Sequence, residues 1–407
     1  MSVVAKARDL WRGLLPESLR QLAQPVLSRG LEAYVRAAAR REHGAQDADG
    51  PIRIVGYFSG SHGIAASARL ATRAFEALGV PVELVDVSGA VLGWTGRYAA
   101  PQRAGAWIFH LNPPELLAAL AGLGPRNLVG PRYGYWAWEL PRAPERWLKD
   151  GALVDEIWAP SRYTAQALAG ATTPVRVVPH ALALEDYADV VPAPRTARFQ
   201  AVALFDFNSS VARKNPDGTI AAFRRAFGDD PDVRLTIKTQ NGEAFPELLA
   251  ALRAAAPANV EIVDAVWPYA RIKALIAGAD VLISLHRAEG FGLTPAEAMA
   301  MGTAVVATAF SGNLDFMDEA SAELIPARQI PVEDPQGIYR GQTWAEPDLD
   351  SAAAALVRLR DDPDRRASLA AAGRRLVAAR LSPQAWFETL PPQVKAAAER
   401  ARAAKAT

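Results

Sequence analysis

The stretch Ser284-Leu-His-Arg-Ala-Glu-Gly-Phe-Gly-Leu-Thr-Pro-Ala-Glu297 holds the residues best suited to chemistry, because two carboxylates bracket a glycine turn that joins an apolar run to a helix. The preceding Ala279-Asp-Val-Leu-Ile-Ser-Leu285 reads as a strand covered on both faces, and Pro295 suits a first helical turn. Amides of Gly290, Phe291, Gly292, Leu293 and Thr294 then face whatever lies beyond the strand end, where a helix N-terminus carries roughly half a positive charge. Such a turn favours a phosphorylated, hydroxyl-rich ligand. Glu289 and Glu297 are either a pair able to chelate neighbouring hydroxyls or two ordinary acids of a helix start, and the glycines between them tilt the choice to the first. The helix dipole is expected to keep Glu297 ionised.

A second constellation is Phe205-Asp-Phe-Asn-Ser-Ser-Val-Ala-Arg213-Lys214-Asn-Pro216, a strand end followed by two adjacent cations and a helix start. Adjacent cations there suit a diphosphate. A charge-assisted hydrogen bond contributes about 1.5–3 kcal/mol against about 0.3–1 kcal/mol for an exposed helix dipole, so Arg213 or Lys214 should dominate stabilisation of a departing phosphate. Lys238, inside a strand pattern, is either at a strand end near the same anion or on an exposed edge. His62, His110, His180 and His286 fall at or just after expected strand ends, and Asn112-Pro-Pro follows His110 as a loop, which makes His110 the best catalytic candidate among them. No histidine pair has metal-ligand spacing, and Asp206-Phe-Asn208 is a poor metal pair, so no metal site is expected. Six of ten tryptophans lie between Trp94 and Trp158. Their alternation fits core packing, with sugar stacking by a rim residue such as Trp138 as the second reading. Glu139 beside them requires a partner.

The elements that must position these residues alternate along the chain. Ile52–Phe58, the loop Gly60-Ser-His-Gly63, an Ala-rich helix to Leu78 and Val80–Val87 form a strand–helix–strand unit, and further strands are expected at Ala106–Leu111, Leu128–Trp138, Asp155–Ala159 and Val175–Pro179. After Pro192-Ala-Pro194 a second set runs through Phe199–Phe207, Asp232–Thr239, Asn259–Val263, Asp280–Leu285 and Thr303–Ala307, with helices near 217–227, 245–255, 269–278 and 295–301. The fold class is therefore α/β with two successive open parallel sheets, whose ligand belongs in the cleft beyond their carboxyl edges. Residues 1–50 read as a helical extension and linker, 51–195 and 196–380 as the two domains, and 381–407 as a C-terminal helix that packs back on the first. The first fifty residues either pack on the body or form a basic patch touching anionic lipid.

With 407 residues and half of them hydrophobic, two cores can be built. Forty-five Lys and Arg against forty-four Asp and Glu argue against a nucleic-acid binder. The absence of cysteine excludes disulfides and thiolate metal sites. No apolar run reaches the roughly 18 residues of a membrane span and no signal-peptide core is visible, so a cytoplasmic protein is expected, with peripheral membrane contact as an addition.

At these residues the chain resembles the retaining, metal-independent glycosyltransferases of family 4, which have the two-domain, Rossmann-like GT-B architecture with a C-terminal crossover helix. The resemblance spans roughly residues 51–380. Its most specific part is Glu289-Gly-Phe-Gly-Leu-Thr-Pro-Ala-Glu297, which looks like the family's Glu-x7-Glu motif, supported by Gly56–Gly63, Arg213-Lys214-Asn-Pro216 and Thr343-Trp-Ala-Glu-Pro347. The resemblance implies that Glu297 holds the nucleotide ribose, that Glu289 contacts the donor sugar, and that the amides of Phe291 to Thr294 meet sugar and phosphate. Lys214 matches the family's phosphate lysine. Ser209 stands where the family usually has an arginine, which leaves Arg213 as the substitute, with Lys238 as a further donor-side cation. Gly60 and Gly63 would cap the diphosphate from the first domain, whose His62, Asn112, Trp138 and Glu139 are the acceptor-facing candidates.

The implied reaction moves a hexose, mannose being one candidate, from a GDP- or UDP-sugar to a glycan or lipid-linked acceptor in surface polysaccharide assembly. It requires no cofactor and no enzymic nucleophile. A nucleotide-sugar epimerase or hydrolase, or a binding module without turnover, is the alternative. A nicotinamide dehydrogenase is disfavoured because Gly56, Gly60 and Gly63 do not form Gly-x-Gly-x-x-Gly.

Overall fold

Branched apolar runs, each followed by a glycine- or asparagine-bearing loop and a helix, set the architecture. The computed structural model describes residues 30, 32–39, 49–58, 63–88, 102–194 and 198–406. In the first half β1 (Ile52–Gly56), β2 (Val82–Asp86), β3 (Ala106–Phe109), β4 (Arg132–Tyr135), β5 (Glu156–Ala159) and β6 (Val175–Val177) form one parallel sheet in the order β2-β1-β3-β4-β5-β6. In the second half β7 (Phe199–Leu204), β8 (Val233–Thr239), β9 (Val260–Asp264), β10 (Val281–Ser284), β11 (Ala304–Thr308) and β12 (Glu323–Ile325) form another, ordered β9-β8-β7-β10-β11-β12. Strand order reverses between β1 and β3 in the first sheet and between β7 and β10 in the second. A reversal leaves a crevice at the carboxyl edge, because the helices following the two strands cross to opposite faces.

Each sheet is packed on both faces. Trp107, Phe109 and Trp136 fill one side of the first sheet, and Ile52, Ile54, Ile108 and Trp158 the other. Helices Pro383–Thr389 and Pro392–Ala406 complete that second side: Trp386 meets Phe75 edge-on at 4.9 Å, and Val394, Ala397 and Ala398 are buried beside β1. The chain therefore returns from the second sheet to close the core of the first. Helical residues 32–39 cover the opposite side, where Val35 and Ala39 join the core and Arg36 Nε pairs with Asp150 at 2.7 Å. The rest of the first fifty residues, read as either packing on the body or touching anionic lipid, falls at 1–29, 31 and 40–48, outside the described residues. Among the described residues no helix is long and apolar enough to cross a membrane.

Several expected elements differ in detail. The run Leu128–Trp138 is not one strand: Gly130, at φ 114°, and Pro131 break it into Leu128–Val129 and β4. Strand β12 and an antiparallel hairpin, β13 (Ala327–Pro331) with β14 (Thr343–Pro347), were not expected, and neither were the helices Leu349–Asp361 and Pro363–Leu381. Strand β13 is mostly solvent-facing, so it lacks the apolar signature of a central strand, whereas β14 buries Trp344 and Ala345.

Trp386→Ala should remove the main anchor of the returning helix. Truncating a fully buried tryptophan costs about 3–5 kcal/mol, so thermal unfolding should move down by several degrees while the far-ultraviolet spectrum below the transition stays unchanged.

Candidate functional site

The two segments singled out from sequence leave the two strands that flank the reversal of the second sheet. Residues 205–216 follow β7, and residues 285–297 follow β10. After β7 the chain turns sharply through Asp206, whose carboxylate accepts from Asn208 N and from the side-chain amides of Gln240 and Asn241. Ser210 and Asn215 take φ of 55° and 54°, and Asn215 then caps the helix Pro216–Phe227 by accepting from Gly218 N at 3.2 Å. Asparagine tolerates this left-handed conformation better than most residues. The same Asn215 donates to Leu285 O at 2.9 Å, which ties the β7 loop to the β10 loop and brings Arg213 and Lys214 under Glu289.

Glu289 is 9% exposed and ionised. Its Oε1 accepts from Lys214 Nζ, and its Oε2 lies 3.3 Å from Arg213 Nη1. Burial by itself would raise the carboxyl, but Lys214 and Arg213 outweigh that cost and hold it at about 2. The two cations do different work. Arg213 is 3% exposed; its Nη1 donates to Ala288 O at 2.8 Å and its Nη2 to Ser209 O at 3.1 Å, so it is a fixed internal strut. Lys214 keeps part of its side chain exposed and is the cation a ligand can reach. Burial, together with Arg213 beside it, lowers the Lys214 ammonium against the pull of Glu289. Arg287 braces the arrangement by pairing with Glu346 of β14 at 2.6 Å and donating to Ala212 O.

The turn itself is set by backbone contacts. Glu289 N donates to Ser311 Oγ at 2.8 Å, Gly312 N donates to Glu289 O at 3.0 Å, and a Cβ at Gly312 would lie 2.3 Å from Gly290 O. Gly292, at φ 95°, starts the helix Leu293–Met301. Glu297, in the second turn of that helix, departs from the expected ionisation: it is 7% exposed, and burial pushes it up to about 7 although Tyr269 and Tyr187 both offer hydroxyls to it. Desolvation of a fully enclosed carboxylate exceeds what one helix dipole returns.

The first domain closes over this turn. Ser161 Oγ donates to Gly290 O at 2.6 Å and Thr164 Oγ1 donates to the same carbonyl at 3.2 Å, while Arg162 N and Nε both meet Asp315. Glu139 reaches into the second domain, accepting from Tyr339 Oη at 2.9 Å and lying 3.9 Å from Arg213 Nη2. Trp138 is half-buried at the same junction, edge-on to Trp147 and Tyr339. Asn112 accepts from Ala137 N and so holds the Trp136–Trp138 segment in place. Trp107, Trp136 and Trp158 are core residues.

His110 follows β3, at the reversal of the first sheet. It is 2% exposed, stacks on Tyr135 at 4.7 Å and shares a 2.5 Å hydrogen bond with Ser67 through Nδ1, leaving Nε2 without a partner. Burial, with His180 adding to it, pushes its ring down to about 3, so it is neutral at ordinary pH. Tyr135 continues to His180 at 5.3 Å and His180 to Phe291 at 4.8 Å, so a ladder of rings joins His110 to the glycine turn. His286 is buried, with both ring nitrogens partnered by Ser284, Phe310 and Asn313, and serves the loop's structure. His110 and His286 are thus enclosed groups, not side chains at an open cleft mouth, while His180 is partly buried.

Lys238 is neither on an exposed edge nor beside Glu289: it is 3% exposed, donates to Thr239 O at 2.7 Å and to Ala265 O, and faces the Trp267 ring. Gly63 begins the helix Gly63–Ala77, whereas Gly60 and His62 lie outside the described residues. Among the described residues no group of three His, Cys, Asp or Glu side chains is placed to hold a metal. Tyr187, Tyr269, Tyr339, Ser161, Thr164 and Ser311 were not foreseen. Only Ser311-Gly312-Asn313, a glycine just past an apolar strand, offered a local signal.

Residues 207–376 match the family described as glycosyl transferases group 1, so this part of the chain is a glycosyltransferase domain. No curated protein sequence matches significantly. Among solved structures, sucrose-phosphate synthase from Thermosynechococcus elongatus superposes with a TM-score of 0.62 at 15% identity, covering 88% of this chain and 100% of its own. A glycosyltransferase from Rickettsia africae gives 0.62 at 11% identity, covering 86% and 98%. Anabaena HepE, solved with UDP and glucose, gives 0.59 at 14% identity, covering 83% and 97%. The fold is the two-domain GT-B arrangement. Against TarM of S. aureus and the pneumococcal O-GlcNAc transferase GtfA the chain spans only about half of the partner, 53% and 56%.

Because Glu289 is held well below the ordinary carboxylate range, its pairing should stabilise the protein fully above about pH 4.5 and lose that contribution as the pH falls towards 2. Chemical unfolding of Glu289→Gln as a function of pH should show less acid sensitivity than wild type. Profiles of equal slope would contradict the ion-pair assignment.

Proposed function

We propose that the chain is a retaining glycosyltransferase that moves a hexose from a nucleoside diphosphate sugar to a glycan or lipid-linked glycan acceptor. One observation carries the reading: the loops leaving β7 and β10 bring Lys214, ionised Glu289, the amides of Gly290 to Thr294 and buried Glu297 to one crevice, under the first domain. A diphosphate is accommodated by the partly exposed Lys214 ammonium and the helix amides. Glu297 is placed for a ribose diol, and Glu289 for a hydroxyl of the transferred sugar.

Transfer then needs charge stabilisation and positioning. The bond from the anomeric carbon to the phosphate oxygen breaks, the acceptor oxygen bonds to the same face of that carbon, and the acceptor proton passes to the departing phosphate. Lys214 and the amides stabilise the growing negative charge. Glu289 stays ionised, orients the sugar and keeps Lys214 in place. His110, neutral and with Nε2 unpaired, can offer a hydrogen to an oxygen of the sugar from the first domain in the tautomer in which Ser67 donates to Nδ1. Trp138 and Glu139 mark the acceptor side. The reading assigns no cofactor and no metal, and leaves mannose and surface polysaccharide assembly as the favoured sugar and setting. UDP and GDP are the candidate nucleotides; the UDP-bound neighbours of the same fold put UDP first.

Thermal-shift measurement with UDP, GDP and dTDP should give one clear winner, since a ligand at a hundredfold over its dissociation constant adds about 2.7 kcal/mol. With that donor class, Lys214→Ala should lower turnover by about 10- to 100-fold, the loss expected for one charge-assisted hydrogen bond. Glu297→Ala should mainly weaken donor binding. Nuclear magnetic resonance of the anomeric proton should show a new α-linkage; free sugar or an epimerised donor would replace the transferase reading by a hydrolase or an epimerase, and unchanged turnover in both variants would remove the site assignment.

A further inference from the structure

Glu297 is held unusually. The Tyr269 hydroxyl donates to its Oε1, Tyr187 Oη lies 3.4 Å from the same oxygen, and the two phenols are 3.3 Å apart. One carboxylate oxygen is therefore occupied twice, and neither phenol bonds Oε2. The phenols arrive from different parts of the chain. Tyr269 opens the helix Tyr269–Gly278 and is 48% exposed. Tyr187 is 5% exposed and belongs to the short helix Glu185–Ala188, in the connection between the two sheets. Lys273 lies against both rings, 5.4 Å from the centre of Tyr187 and 5.3 Å from that of Tyr269, and donates to Asp186 O at 2.7 Å. The Asp186 carboxylate is taken by Arg73 of the first domain at 2.9 Å.

A carboxylate with free rotation and no donors would sit buried as the neutral acid, which can accept only weakly and must itself donate. Two hydroxyls on one oxygen do two things: they favour the ionised form, and they fix the plane of the group so that the second oxygen has a single direction. A vicinal diol has two hydroxyls about one carbon–carbon bond apart and binds best to such an oriented anion.

We infer that Tyr187 and Tyr269 are positioning residues for the donor, occupying one oxygen of Glu297 so that the other is aimed at the ribose diol. This rests on the donor site proposed above. The groups that face Glu297 are Tyr187 from the connection and Tyr269 and Lys273 from the helix Tyr269–Gly278, with Asp186 already paired to Arg73. Ribose binding should consequently strengthen as pH rises through the titration of Glu297 near 7 and should link the connection between the sheets to donor occupancy.

Tyr269→Phe and Tyr187→Phe keep the rings and remove only the hydroxyls. Binding of UDP and GDP and of their 2′-deoxy counterparts, measured by calorimetry from pH 5.5 to 8.5, separates the outcomes. The wild type should prefer the ribonucleotide by about 10-fold or more, the scale of one lost charge-assisted hydrogen bond. In either variant that preference should fall several-fold and the pH midpoint of binding should move upward, with KM for the donor rising and kcat little changed. Preserved ribose preference and an unmoved midpoint in two folded variants would overturn the positioning role while leaving the donor site intact. Wild-type protein that bound neither UDP nor GDP would overturn the donor site itself, and the inference with it.

Discussion

A carboxylate enclosed in protein is tolerable only when its charge is answered, and Glu289 is the point on which this site turns. Lys214 and Arg213 answer it from the neighbouring loop, and Arg213 is in turn fixed by the carbonyls of Ala288 and Ser209. Removing one partner of such a buried pair typically costs about 3–5 kcal/mol because the remaining charge is stranded. The loops after β7 and β10 are therefore not independent. Asn215, Arg213 and Arg287 cross between them, and the hairpin β13–β14 supplies Glu346 and the loop that carries Tyr339.

The same centre ties the two sheets together. Gly290 presents its carbonyl to Ser161 and Thr164 of the first domain, and Gly312 must lack a side chain for that turn to exist. Glu139 crosses in the opposite direction to Tyr339 and Arg213. These crossings end at residues adjoining Glu289 or its cations, so the crevice is shaped by both domains at once. The returning C-terminal helices reinforce this, since they leave the second sheet and seal the core of the first.

Glu289 and Glu297 lie on one turn and one helix yet are driven in opposite directions, to about 2 and about 7. Neither sequence distance nor helix position separates them. Two cations meet Glu289, whereas Glu297 meets only phenols and the more distant Lys273, and hydroxyl donors do not repay the loss of water that cations repay. A permanent anion beside Lys214 and a titrating one beside the tyrosines are suited to different tasks.

The sequence by itself determined the two parallel sheets, most of their strands and the two loop segments that carry Arg213-Lys214 and Glu289–Glu297, because apolar periodicity and glycine-bearing strand ends are local properties. It also favoured core packing for the tryptophan cluster between Trp94 and Trp158, of which Trp107, Trp136 and Trp158 are buried. Only the tertiary structure decided that Arg213 is an internal strut while Lys214 stays accessible, that Lys238 is spent on two backbone carbonyls, and that burial raises Glu297 to titrate near 7. Tyr339 and Tyr187 reach the site from 50 and 102 positions beyond and before Glu289 in the chain, and nothing local distinguishes them from other tyrosines. Charge state and hydrogen-bond partnership depend on what is packed around a group in space, and that is fixed only when both sheets and the connections between them have closed.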